Sequence, residues 1–284
     1  MSNELKFSVL MPVYFKENPE YFNTALESIV NQTLIPNEIV IVKDGPLTKE
    51  LDAVIEKYIS KYSNLFNIVV LEQNVGQGKA RNEGLQVCKY DYIALMDSDD
   101  IADLTRFEKQ IGYLEKHPEI DCIGSNITEF EGEQKNIISK KIVPITHEEI
   151  FKFGKWRSPM NNMTVIYKKD KVMEVGAYNS FNFGEDYLLF AKMLVKGCKF
   201  YNLEECLVNA RGGSCMLAKR IGLNRILQEF KLFWTFYRMG YINIFEFLRN
   251  VSLKFLLRII PTWFRSWIYN NFLRKKMKRI NSKD

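Results

Sequence analysis

The chain is short of the residues that build disulfide scaffolds and soft-metal centres. Its five cysteines (Cys88, Cys122, Cys198, Cys206 and Cys215) are odd in number, and no two stand in CxxC spacing. A disulfide framework or a zinc site is therefore not expected. Only His117 and His147 could serve as imidazole ligands, so any bound metal should be a hard, oxygen-liganded cation. No uninterrupted apolar run reaches the roughly eighteen residues of a membrane span. Met1-Ser2-Asn3-Glu4 opens no charged-then-apolar leader, which points to a cytoplasmic protein, free or peripheral on a membrane. What is present suits a globular fold: 284 residues, 46% hydrophobic and 26% charged, exclude disorder, collagen and coiled coil. That length fits one large α/β domain plus an appendage.

Charge divides the chain. From Arg211 onward there are 16 Lys and Arg against 3 acids, whereas Met1 to Ala210 holds 24 against 31. An acidic body with a basic tail implies that the tail meets something anionic, a membrane surface or a nucleic acid.

In the acidic body, short apolar runs alternate with helical spacing. Lys6 to Val13, Glu38 to Val42, Asn67 to Leu71 and Asp91 to Met96 read as strands, with a further strand at Val165-Ile166-Tyr167. Helices are predicted at Glu20 to Asn31, at Thr48 to Tyr62 with Thr48 as N-cap, and after Gly78. This alternation predicts a largely parallel sheet covered on both faces, with ligands bound beyond the carboxyl ends of its strands. Those ends carry polar or turn residues: Pro12-Tyr14, Asp44-Gly45, Asn74-Gly76 and Asp97-Ser98-Asp99-Asp100.

Three carboxylates within four residues repel one another unless a cation relieves them. Mg²⁺ or Mn²⁺ on Asp97 and Asp99 would do so, using carboxylate and phosphate oxygens; a solvated acidic turn with Asp100 or Asp103 as a helix cap is the alternative. Asn74 to Asn82 (NVGQGKARN) opens a helix with glycines and places Lys79 and Arg81 in or near its first turn. Such a helix start can receive a phosphate, although the stretch is neither a dinucleotide fingerprint nor a P-loop. Glu185-Asp186 opens another apolar helix, where acids also favour the positive helix end for stability alone.

Taken in order, these segments resemble the family 2 glycosyltransferases of the GT-A fold, inverting nucleotide-sugar enzymes. The resemblance is carried by Ser8-Val9-Leu10-Met11-Pro12-Val13-Tyr14, by Ser28 to Thr33, by Glu38 to Pro46, by Asn74 to Asn82 and by the DxD-like Asp97-Ser98-Asp99. It implies an α/β, Rossmann-like, mostly parallel mixed sheet flanked by helices, spanning 1–210 with a nucleotide-sugar half of about 1–100 and an acceptor half of about 101–210. It also implies that Pro12, Val13, Tyr14, Glu17 and Asp44 hold uracil and ribose. Asn74, Gly76, Lys79, Arg81, Asp97 and Ser98 would complete the UDP-sugar site, and Asp97 and Asp99 would ligate Mn²⁺ or Mg²⁺. Asp186 would be the general base and Glu185 an acceptor contact. Trp156, Asn161, Asn162 and Arg211 would line the donor-sugar and acceptor cleft. Within the family, the chain is most similar to bacterial exopolysaccharide and O-antigen transferases of the amylovoran type. That implies transfer of a hexose, glucose or galactose, from a UDP-sugar to a polyprenyl-diphosphate-linked saccharide in surface polysaccharide assembly. A histidine common in the family after the arginine matching Arg211 is absent here, where Gly213 and Ser214 stand. A nucleotidyltransferase, or a catalytically silent nucleotide-sugar-binding protein, would share several of these features.

Residues 211–284 form the expected appendage, basic, aromatic and helical. Phe230, Phe233, Trp234, Phe236, Phe245 and Leu248 precede Pro261, and Arg274-Lys275-Lys276-Met277-Lys278-Arg279 closes the chain. Basic amphipathic helices of this makeup lie on anionic leaflets, here the inner face of the plasma membrane. Packing on the catalytic domain is the alternative, and no nucleic-acid recognition motif is present.

Overall fold

The structure, a computed structural model, describes residues 5–179, 184–212 and 223–259. Phe183, Gly213, Ser214, Cys215, Pro261 and the basic run Arg274 to Arg279 lie outside the described residues.

The predicted βα alternation is present. Strand β1 (Phe7–Val13) is followed by α1 (Pro19–Val30), β2 (Glu38–Lys43), α2 (Lys49–Lys61), β3 (Phe66–Val70), α3 (Gln77–Val87) and β4 (Tyr92–Leu95). Local chemistry sets the helix starts. Asn18 caps α1 by accepting from the amides of Glu20 and Tyr21, and Thr48 caps α2 by accepting from Leu51 N. β1 to β4 are mutually parallel, in the order β3-β2-β1-β4. β1, β2 and β4 are buried almost throughout, so they read as continuous apolar runs, whereas β3, at the sheet edge, is only partly buried. Helix α3 packs close to this sheet at Gly84, where a Cβ would stand 2.3 Å from Leu10 Cδ1 and 2.7 Å from Val42 Cγ2.

The second half is mixed. β5 (Ile101–Ala102), α4 (Arg106–Lys116), β6 (Cys122–Phe130), β7 (Ile137–Lys141), α5 (His147–Phe153), β8 (Ile166–Lys168), α6 (Lys169–Glu174), α7 (Glu185–Val195) and β9 (Phe200–Arg211) follow. The sheet continues β4-β8-β6-β9-β5, with β7 paired to β6. β8 is antiparallel to both β4 and β6, and β9 is parallel to β6. β4, β6 and β9 therefore run in one direction, and Arg211 ends at the same sheet edge as the acids after β4.

Two cores flank the sheet. Leu10, Val40 and Val42 face α3, α7 and the C-terminal helices, whereas Val9, Met11, Ile39 and Ile41 face α1, α2 and α4. Helices α8 (Leu223–Arg238) and α9 (Ile244–Ile259) complete the described chain. Leu232, Phe233, Phe236, Tyr241, Ile242 and Phe247 share the core of Leu10 and Phe190. Phe236 packs edge-on against Tyr187 at 4.9 Å, Tyr241 Oη donates to Phe151 O at 2.9 Å, and Lys155 pairs with Glu246 at 3.1 Å. The first half of the appendage is thus docked on the catalytic body. Among the described residues no helix is long and apolar enough to cross a membrane.

Candidate active site

The loop after β4 is held from three sides. Asp97 Oδ1 accepts from Arg81 Nη2 at 2.8 Å and from Gln77 Nε2 at 3.1 Å, both on α3. Ser98 Oγ donates to Glu17 Oε2 at 2.6 Å, tying the loop to the segment after β1. Arg211, at the end of β9, donates its backbone N–H to Asp100 Oδ1 at 2.8 Å and its Nε to Asp99 O at 3.2 Å. Its guanidinium lies 3.6 Å over the Tyr21 ring and 4.7 Å over Phe130. Arg211 therefore braces the acidic loop from beside it.

Burial and crowding make Asp99 and Asp100 hard to ionise. Burial, then the neighbouring Asp97 and Glu17, push Asp99 up to about 6. Asp100, 3% exposed, is pushed well above the carboxylate range by burial and by Asp97 and Asp99. Beneath them lies a cation the sequence does not single out. Arg106 on α4 is fully buried and donates to Leu95 O at 2.8 Å and to Gln110 Oε1 at 3.1 Å. Burial lowers it to about 9 despite the fields of Asp100 and Asp97. In sequence it is one more arginine in a helix first turn.

Arg81 connects the two acidic motifs. It is 1% exposed, its Nη atoms lie 2.8 and 3.1 Å from Asn162 Oδ1 in the amide orientation that satisfies both groups, and it stacks 5.6 Å from the centre of Tyr178. Its Nε has no partner among the described residues. Burial pulls its pKa down, but Tyr178, Asp97, Asp186 and Glu185 outweigh that and raise it. Glu185 is raised, by burial and by Asp186, with Arg81 opposing. The start of α7 also touches α3 directly: a Cβ on Gly78 would lie 3.2 Å from Glu185 Cγ. Asp186 Oδ1 accepts from Tyr187 N at 2.7 Å at that helix start. Asp97 and the Glu185-Asp186 pair thus share one side of the molecule, across Arg81.

The remaining expected residues divide. Pro12 and Val13 end β1 beside the half-exposed Tyr14. Asp44, 4% exposed, orders the loop that opens α3: it accepts from Val75 N at 2.7 Å, Gly76 N at 3.1 Å and Asn74 Nδ2 at 3.1 Å. Lys79 is exposed and lines a groove with Leu71, Glu72, Gln73 and Glu83, roughly opposite Arg81 on the helix. Asn161 is fully buried; its Nδ2 donates to Ser125 O at 2.9 Å, fastening β6, and its Oδ1 has no partner among the described residues. Trp156 packs on Phe153 and lines a separate groove with Val143, Pro144, Ile145, Glu149 and Lys152, away from Asp97, Asp99, Glu185 and Asp186.

Among the described residues no group of three or more His, Cys, Asp or Glu side chains is arranged to chelate a metal. Asp97 and Asp99 still fit a cation shared with substrate. Both contacts to Asp97 use Oδ1, Asp99 is held unusually basic, and Mg²⁺-type sites often use one or two carboxylates plus phosphate oxygens.

The sequence profile of the family described as Glycosyl transferase family 2 matches residues 8–181. The chain is 37% identical over 272 residues to an Escherichia coli UDP-Gal:alpha-D-GlcNAc-diphosphoundecaprenol beta-1,3-galactosyltransferase, covering 95% of this chain and 97% of that one. It is 40% identical to the amylovoran biosynthesis glycosyltransferase AmsE of Erwinia amylovora, covering 80% and 84%. Among solved structures, S. aureus TarS 1-349 in complex with UDP-GlcNAc aligns with a TM-score of 0.64 at 20% identity, covering 89% of this chain and 72% of that one. The mannosyltransferase PcManGT of Pyrobaculum calidifontis, solved with GDP-Man and Mn²⁺, aligns with a TM-score of 0.63 at 13% identity, covering 88% and 68%.

Proposed function

The chain belongs to glycosyl transferase family 2, and on that premise we propose that it moves a hexose, galactose or glucose, from a UDP-sugar to a saccharide linked through diphosphate to a polyprenyl lipid, with inversion, in surface polysaccharide assembly. The observation that carries this reading is the position of Arg81, fully buried between Asp97 and the Glu185-Asp186 pair. One cleft at the carboxyl edge of the sheet then offers a donor-phosphate side and an acceptor side. The lipid-diphosphate acceptor and the galactosyl donor named for the Escherichia coli relative support the substrate class.

Cleavage of the sugar–diphosphate bond places negative charge on the leaving UDP. Asp97 and Asp99 would hold a divalent ion, Mn²⁺ or Mg²⁺, whose charge offsets that of the leaving group. Gln77 and Arg81 keep Asp97 in place, and Glu17 keeps Ser98 in place. Asp44 shapes the loop of Asn74 and Gly76 beside the nucleotide. On the far side of the sugar, Asp186 takes the proton from the attacking hydroxyl, and Glu185 contacts the acceptor. The bonds of Asn162 to Arg81 and of Arg211 to Asp99 O support a part for both in lining that cleft.

Exposed apolar side chains on the C-terminal helices support seating on an anionic membrane, the cytoplasmic leaflet where such acceptors would be presented. Leu227, Phe230 and Trp234 share one side of α8, and Phe245, 79% exposed, and Leu248 lie on the neighbouring α9. The test is release of UDP from UDP-galactose and UDP-glucose with a synthetic diphosphate-lipid GlcNAc acceptor, in Mn²⁺ and in Mg²⁺. Turnover that needs both the acceptor and the ion is expected. Release of pyrophosphate instead would indicate a nucleotidyltransferase, and UDP binding without turnover a silent binding protein.

A further inference from the structure

Between α6 and α7 the chain makes a turn whose backbone has no part in the proposed chemistry and is nevertheless held by side chains from two helices. α6 ends in a Schellman cap: Ala177 N donates to Val172 O at 2.9 Å and Gly176 N to Met173 O at 3.0 Å. Gly176 takes the expected left-handed conformation, but the next residue, Ala177, does too, with φ of 49°. It is the one non-glycine residue with positive φ among those described. A Cβ makes that conformation costly, so it persists only where its surroundings impose it.

The surroundings are identifiable. Asn82 on α3 reads both backbone groups of the following residue: its Nδ2 donates to Tyr178 O at 2.8 Å and its Oδ1 accepts from Tyr178 N at 2.9 Å. Those two groups are 96 positions away from Asn82 in the chain. The far side of the turn is tied to α7, where Lys192 Nζ donates to Val175 O and to Asn179 Oδ1, each at 3.1 Å. Asn82 neighbours Arg81, which carries Asp97, and Lys192 shares a helix with Glu185 and Asp186. A continuous set of hydrogen bonds therefore runs from the donor-side helix, through a strained turn, to the helix that starts with the acid pair.

We propose that Asn82 is a positioning residue for catalysis. By clamping Tyr178 it holds Ala177 in the left-handed turn, and the turn sets α7, with Asp186 at its start, against α3. The inference rests on the glycosyltransferase reading above, and it separates Asn82 from donor binding. Its amide is spent on backbone groups, and although the Tyr178 ring lies against Arg81, Arg81 keeps its bonds to Asp97 and Asn162, so removing Asn82 should displace the acid pair and leave nucleotide affinity in place.

The test measures wild type, Asn82→Ala, Ala177→Gly and the double variant for UDP affinity and for UDP release with the diphosphate-lipid acceptor. Absence of turnover in wild type would overturn the glycosyltransferase reading itself, and the ratio of variant to wild type addresses Asn82. An ångström-scale shift of the base should lower kcat by about 10²-fold, with UDP affinity and donor KM unchanged. Glycine accepts positive φ without strain, so the added Ala177→Gly change should restore much of that loss. Because glycine at positive φ also raises global stability, Tm is measured beside kcat, and the rescue counts only if kcat recovers at a temperature where all four proteins are fully folded. Should Asn82→Ala not fold, the near-isosteric Asn82→Asp serves, because it keeps an acceptor for Tyr178 N and loses the donor to Tyr178 O. The proposal is overturned by an unchanged kcat, by a parallel loss of UDP affinity, or by a double variant no better than Asn82→Ala.

Discussion

Arg81 donates to Asp97 across 2.8 Å with its own side chain 1% exposed and that of Asp97 22% exposed. The pair joins the helix after β3 to the loop after β4. Breaking it leaves a largely buried carboxylate with only Gln77 and removes the support of Asn162. Arg81→Met should cost about 3 kcal/mol of stability, the usual result of removing one partner from a buried pair, and urea unfolding would measure it. Arg81→Lys keeps the charge but not the planar contact with both Asp97 and Asn162, so turnover read as UDP release should fall more than stability. Equal stability of Arg81→Met and wild type would show that the pair is not structural.

The pH dependence of metal binding follows from Asp99. Its folded pKa of about 6 lies above the unfolded value, so its contribution to stability is full below roughly pH 4 and is lost as pH rises through about 6. A divalent ion binds the ionised form and reverses that loss. With UDP present, Mn²⁺ should raise Tm by more at about pH 7.5 than at about pH 5, and Asp99→Asn should abolish the difference. An equal Mn²⁺ shift at both pH values would remove Asp99 as a ligand.

Asp186→Asn removes a general base while keeping the size of the side chain. Turnover should fall by about 10²- to 10⁴-fold with UDP affinity retained, as read by titration calorimetry beside the UDP-release assay. Retained turnover would reassign the base, and Glu185, drawn to higher pKa by burial and by Asp186, would be the next residue to replace.

The C-terminal helices allow a cleaner truncation than one placed at the start of the basic, aromatic stretch. Asn250 Nδ2 donates to Lys155 O at 2.8 Å, and Val251 packs against the core, so a cut after Asn250 would damage the body. Removing 260–284 spares α9 and takes away the basic run. Binding to vesicles containing anionic lipid should drop sharply, while UDP affinity stays the same. Phe245→Glu with Leu248→Glu in the full chain should weaken vesicle binding as well. Undiminished binding of both variants would count against membrane seating through the C-terminal helices and the basic run.

The parallel half of the fold was legible because β1, β2 and β4 are buried almost throughout and therefore appear as uninterrupted apolar runs ended by turn residues. Thr48 as a cap and the acids after β4 were legible for the same local reason. β6 and β9 were not: Gly124, Ser125 and Asn126 interrupt one, and Glu204 and Glu205 the other, so their pairing depends on partners far away in the chain. The same limit governs the site. Sequence alone determined which acids, amides and glycines are available and at which strand ends they fall. Only the tertiary structure decided that Arg81 turns inward to Asp97 and Asn162, that Asn161 serves β6, that Arg106 lies under the acidic loop, and that Asn82 reaches Tyr178. Each of those outcomes depends on which buried polar group finds a partner when distant segments close together, and no local pattern records that choice.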